Sequence, residues 1–139
     1  TQHAKRGDGG DEVQGILCEG ALEATPAIDY IAGSAVPAEA GIGILRARGL
    51  TDRISILADY YTHAVYRGLK RGRVTAAPTD FPVMQGRLGI DLAIRALEGS
   101  LTRTHLGPAI ELVTADNIEQ IGGEESLAPA SFAPTFIVD

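Results

Sequence analysis

Short β-rich runs alternate with amphipathic helices along this chain, and that alternation limits the available folds more than any other feature. The runs IDYIAG (28–33), ISILAD (54–59) and RVTAAPT (73–79) have the length and composition of strands, and each hands over to a helical period. Asp8 or Asp11 caps a first helix ending near Ala24, with Val13, Ile16, Leu17 and Gly20 on its inner side and Pro26 beyond its end. Ser34 starts a second helix with Pro37 in its first turn, Ile42 and Leu45 inward, and Gly49 at its close. A shorter helix spans Thr62 to Leu69, and a last strand falls near Ile110 to Val113. Strands separated by helices cannot form hairpins. They specify an α/β class, a Rossmann-like parallel sheet of four or five strands with helices on both faces.

The longest helix, 83–98, gathers Val83, Gly86, Ile90, Ala93, Ile94 and Leu97 on one apolar face, opposite Arg87, Asp91, Arg95 and Glu98, and ends at Gly99. It is expected to bury that face. Directly before it stands Asp80, at the junction of strand and helix. In open parallel sheets small molecules bind outside the carboxyl ends of the strands, so such a junction suits recognition. The alternative is that Asp80 only caps the helix. Ser34 and Tyr60, with Tyr61 beside it, occupy the same position after the two preceding strands. A hydroxyl, an aromatic face and an anion suit a compact cationic or methylated-ammonium group, attracted to ring faces by roughly 0.5–2 kcal/mol per contact. A tyrosine there can equally be half-buried with a wet hydroxyl.

Composition removes several function classes. With 139 residues and 45% of them hydrophobic, the chain can bury a real core. Its 12 basic and 18 acidic residues leave a net charge of -6, which argues against nucleic acid and against an anionic membrane surface as partners. No run approaches the ~20 apolar residues of a membrane span. No secretory signal is visible, although Thr1 is not a natural start and a precursor can have been trimmed. Cys18 is the single cysteine, so disulfides, CxxC pairs and cysteine-rich zinc sites are out of reach, and its helical setting predicts a packed side chain.

Catalytic constellations are missing too. His3, His63 and His105 lack metal-ligand spacing, and AGSAV around Ser34 lacks the second glycine of a nucleophile elbow. Gly41 and Gly43 form only a fragment of a dinucleotide fingerprint, and inside a helix. No cofactor, metal or enzymatic activity is expected. Arg67, Lys70, Arg71 and Arg73 make a basic cluster that reads as a solvated face, or as a contact for an acidic protein. The last quarter leaves the alternation: 115–126 is polar and Gly-containing, and 127–139 carries Pro129, Pro134, Phe132 and the apolar end FIVD. Residues 1–114 are therefore expected to form one lobe. Residues 115–139 are expected to be a crossover and tail, covering their own domain or belonging to a second lobe.

The run VTAAPTDFPVMQGRLGIDLAIRALEG resembles the strand and helix near the end of type I periplasmic binding proteins and of the ligand domains of LacI-type repressors. With PAIDYIAGSAVPAEAGI, DYYTHAVYRGLKRGR and SLAPASFAPTF, the pattern is similar to those family members that detect trimethylamine N-oxide with a membrane sensor histidine kinase. The resemblance extends over nearly the whole chain but only the carboxyl-terminal part of such a protein. It implies a periplasmic, non-enzymatic, solute-binding sensor with two lobes around a cleft, and no insertion into the membrane. Tyr60 would help box the trimethylammonium group and Asp80 would lie at the cleft floor, with the remaining aromatic walls on the other lobe. Sugar-binding members typically carry Asn-Asp where Ser34 and Ala35 stand here, which speaks against a sugar. A transport-type binding protein for a sugar or other small solute, or the effector domain of a repressor, are the alternative readings.

Overall fold

The structure is a computed structural model that describes residues 10–135. Helix α1 (Asp11–Ala24) leads to β1 (Tyr30–Gly33), then α2 (Ala35–Ala47), β2 (Ser55–Ala58), α3 (His63–Lys70), β3 (Ala76–Thr79), α4 (Pro82–Leu97), β4 (Glu111–Thr114) and the short α5 (Ile118–Ile121). The strands lie in chain order, β1-β2-β3-β4. The α/β class read from the sequence holds, with strands shorter than their apolar runs. The sheet is parallel across β1, β2 and β3, but β4 returns antiparallel to β3, pairing Ala77 with Val113 and Thr79 with Glu111.

Register divides the sheet into two unequal faces. Ile31 pairs with Ile56, and these two, with Ala58, Ala77 and Val113, point one way. Against that face packs α2, with α3 beside α2 and its Val65 and Leu69 in the same core, on the one side that right-handed crossovers between neighbouring strands allow. Gly41 in α2 permits the contact, since a Cβ there would already lie 3.3 Å from Ile56 Cδ1. The core is completed by Leu45, Val65, Leu69 and, from α1, Cys18 and Leu22. The inner side of α1 is thus rotated from the expected one, and Ile16 is exposed. On the opposite face Tyr30 and Leu112 stay exposed, so the described residues do not supply the second helical layer that the sequence leads one to expect.

The largest departure concerns α4. Its apolar stripe exists, but the helix buries no residue, and Leu97 is 89% exposed. Amphipathicity states that a face needs cover without stating what covers it. Phe81, at φ 55, is the one described non-Gly residue with positive φ, and it stands directly before α4 as its N-cap. Conversely, the polar segment after β4 is well packed. Ile118 is buried in the core, Ile121 and Leu127 pack against it, and Glu119 pairs with Lys70. Polar content hid this because much of the attachment is hydrogen bonding: Tyr61 Oη donates to the Gly122 carbonyl at 3.0 Å, and His63 Nε2 meets the Ala128 carbonyl at 2.8 Å. Phe132 is exposed, and Asp8 and the final FIVD lie outside the described residues. No helix among the described residues is long and apolar enough to cross a membrane.

Candidate functional site

Three parallel strands deliver their carboxyl ends to one edge of the sheet. Gly33 at the end of β1 is level with Ala58 at the end of β2, and the Asp59 amide donates to the Gly33 carbonyl at 2.9 Å. Ser34, Tyr60 and Asp80 follow these strands, so they share a rim two strand spacings wide, about 10 Å. Ser34 occupies the N-cap position of α2, yet its side chain makes no capping bond. Tyr60 is 54% exposed, leaving a large part of its ring uncovered. Neighbouring Tyr61 is a different residue physically. It is buried, edge-on to Tyr66 at 6.5 Å, and burial pushes its phenol up to about 12, so it belongs to the core and not to the rim.

Asp80 does not cap α4. The N-cap is Phe81, and the amides of Val83 and Met84 both donate to the Glu125 carbonyl at 3.1 Å. Gln85 Nε2 donates to the Asp80 backbone carbonyl at 2.7 Å, which leaves the Asp80 carboxylate without a hydrogen bond or ion pair among the described residues. The helix start is satisfied by other groups, so the carboxylate is free to meet something else.

The position of Asp80 is fixed from below by a buried hydroxyl relay. Thr79, 1% exposed, accepts from the Phe81 amide at 3.1 Å and donates to Ser126 Oγ at 2.8 Å. Ser126 in turn donates to the Ile121 carbonyl at 3.1 Å. Sequence reading missed this pair, since Ser126 lies in a segment that shows no core pattern. It also passed over Asp59, an exposed carboxylate beside Tyr60, and Glu111, which β4 brings level with Thr79. A hollow of about 200 Å³ near the same edge is lined by Phe81, Glu111, Gln120, Glu124 and Glu125 among others. The whole edge is anionic, although no group of three or more His, Cys, Asp or Glu residues that could hold a metal occurs among the described residues. An anionic edge with an open tyrosine face attracts small cationic or methylated groups.

No family model matches the chain. It is 39% identical over 130 residues to the curated periplasmic protein TorT of Escherichia coli (strain K12), an alignment covering 94% of this chain and 37% of TorT. Crystal structures of the TorS sensor domain–TorT complex, one without ligand and one with TMAO, each align at TM-score 0.87 and 38% identity, covering 94% of this chain and 44% of the matched chain. An ABC transporter solute-binding protein from Bradyrhizobium sp. BTAi1, with bound bis-tris, aligns at TM-score 0.91 and 46% identity over 98% of this chain and 41% of that one. The chain spans less than half the length of the relatives it matches. The chain is thus similar in sequence and in fold to TorT and to an ABC transporter solute-binding protein, over the length of one lobe.

Proposed function

We propose that this chain forms one side of the ligand cleft in a periplasmic sensor protein that recognises trimethylamine N-oxide or a related small amine oxide. The closed, liganded form would then be read by the periplasmic domain of a membrane sensor histidine kinase. The observation that carries this reading is the convergence of Ser34, Tyr60 and Asp80 on one rim with their polar groups and ring face uncommitted. TorT, similar over 94% of this chain, has been crystallised with the TorS sensor domain in the presence of TMAO, which supports both the ligand class and the kind of partner.

In this reading Tyr60 lays its ring against the methyl groups, whose hydrogens carry the positive charge of the ammonium centre. Asp80 and the acidic edge hold that end by electrostatic attraction, and the Ser34 hydroxyl is a donor for the N-oxide oxygen. No step makes or breaks a covalent bond, so the role is binding and not catalysis. The lobe comprises the sheet, α1 to α3 and the segment through Ala128. Helix α4, with Ile90, Ile94 and Leu97 exposed, reaches to the second lobe. Ligand in the cleft favours the closed arrangement to the extent that it contacts both lobes, and the kinase domain senses that shift.

The test is calorimetric titration of trimethylamine N-oxide into a form of the protein that spans both lobes. Tyr60→Ala should weaken binding by roughly 2- to 30-fold, the equivalent of one cation–π contact. Asp80→Ala should weaken it as well. Unchanged affinity in both variants removes these residues from the site. A second reading, a transport-type solute-binding protein, is favoured by the similarity to an ABC transporter solute-binding protein. Its bis-tris is itself a tertiary amine, a ligand class that the proposed rim would also suit. Binding of amines but no response from a sensor domain would select that reading.

A further inference from the structure

The arginines of this acidic chain are unevenly used. Arg48 pairs with Glu23 at 3.2 Å, Arg95 with Asp91 at 2.7 Å and Lys70 with Glu119, while Arg53 donates to the Ile28 carbonyl at 3.1 Å. Arg46, Arg67, Arg71 and Arg73 have no such partner among the described residues, and all four line one groove of about 410 Å³ between α2 and α3. Cations at the last turn of a helix are stabilised by its dipole, which accounts for Arg46 and Arg67 taken singly. It does not account for Arg73, outside any helix, or for the placing of Arg67 four residues before Arg71, a like-charge pair at helical spacing that opposes folding.

The groove is also built closely. A Cβ on Gly68 would stand 2.7 Å from Val74 Cγ2 and 3.2 Å from Ile42 Cδ1, so only glycine lets α3 approach α2 and the lead into β3 this tightly. The Gly68 carbonyl then accepts from the amides of Arg71, Arg73 and Val74, at 3.3, 2.8 and 3.2 Å, with Gly72 at φ 64 completing the turn. That turn sets Arg71 and Arg73 beside Arg67, over a floor of Ile42 and Gly68. Both helices begin at the strand-end rim and run away from it, so the basic end of the groove lies opposite Ser34, Tyr60 and Asp80. Glu39, toward the rim end, is the groove's one acid and accepts from Thr62 Oγ1 at 3.4 Å.

We propose that the α2–α3 groove is a docking surface for a short acidic segment of a protein partner, one that offers several carboxylates and an apolar side chain. Guanidinium groups pair with carboxylates in bidentate fashion, and the Ile42 and Gly68 floor accepts the apolar group. A long polyanion such as nucleic acid would meet the repulsion of a chain with net charge -6, whereas a short segment meets only the groove. The inference is independent of the ligand reading. Binding at the rim can fail while docking holds, and the reverse.

The experiment is fluorescence anisotropy of this chain with a labelled peptide of repeated Glu-Glu-Leu triplets. Physiological ionic strength, about 0.15 M, is used, where exposed charges interact over only about 8 Å and the acidic rim is screened from the peptide. A Gln-Gln-Leu peptide, a single-stranded oligonucleotide and inorganic phosphate are the comparison probes. The Glu peptide should bind, the Gln peptide about tenfold or more weaker, and the reversal Arg67→Glu/Arg71→Glu should cost at least about tenfold. Amide shifts at Ala64 and Gly68 should place the peptide in the groove. Reversal of Arg87 and Arg103, which lie outside it, should change little. Equal binding of the Glu and Gln peptides overturns the proposal. So does tighter binding of oligonucleotide or phosphate, or equal losses from the two double reversals. If circular dichroism shows that the groove reversal disturbs folding, Arg67→Gln/Arg71→Gln carries the same test.

Discussion

Replacing Thr79 by valine keeps the shape of a fully buried side chain and deletes only its hydroxyl, so it isolates the relay beneath Asp80. Two bonds vanish, the one donated to Ser126 Oγ at 2.8 Å and the one accepted from the Phe81 amide at 3.1 Å. Ser126 keeps its bond to the Ile121 carbonyl, but the Phe81 amide is left in a buried setting. An orphaned buried donor costs about 1–3 kcal/mol, and the second lost bond about 1 kcal/mol. The expected destabilisation is therefore about 2–4 kcal/mol. That is a large share of the ~5–15 kcal/mol by which such domains are stable. Ser126→Ala breaks the shared bond and the one to Ile121, for about 1–2 kcal/mol. Because the two variants remove one bond in common, the double variant should fall short of the sum by about 1 kcal/mol. Urea denaturation followed by circular dichroism measures all three. A Thr79→Val midpoint within error of the parent refutes the reasoning, and so does strict additivity in the double variant. Either result would mean that the hydroxyls do not hold the end of β3 to the segment after β4.

Two other outcomes follow from close approaches around Tyr61. A Cβ on Gly122 would stand 2.3 Å from Tyr61 Oη and 2.7 Å from the Ile118 carbonyl, so Gly122→Ala should destabilise by about 1–3 kcal/mol, read as a lowered urea midpoint. Burial raises the Tyr61 phenol to about 12, above the ordinary value of 10, so the unfolded chain ionises first. Its contribution is present in full below about pH 10 and is lost as pH rises toward about 12. Tyr61→Phe should flatten that alkaline decline relative to the parent, and an unaltered difference between pH 9 and 12 would count against it.

The sequence carried the parallel strand–helix order because strand composition and helical periodicity are local properties, and the three strand ends at Ser34, Tyr60 and Asp80 came with it. What it did not carry was set by longer-range partners. The stripe of Ile90, Ile94 and Leu97 was legible as a face needing cover, but its exposure and the left-handed backbone at Phe81 before it were not. The direction of β4 was equally hidden, since an apolar run of a few residues pairs either way. Cys18 and Leu22 rather than Ile16 face the core because α2 approaches α1 from a side that periodicity alone cannot choose. Tyr60 and Tyr61 are adjacent in sequence and opposite in role, one open and one buried, through the bond from Tyr61 to the Gly122 carbonyl.

The start of α4 is held by the Glu125 carbonyl and not by the carboxylate beside it, so the fold does not require that carboxylate. Exposed or partnerless side chains of this kind change stability by only about 0.5 kcal/mol when replaced. Positions 34, 60 and 80 can therefore vary without the scaffold registering the change. Under the proposed function, chains with this backbone would diverge toward different small solutes by substitution at the three strand ends, while changes at Thr79, Ser126 and Gly122 would be felt by the fold.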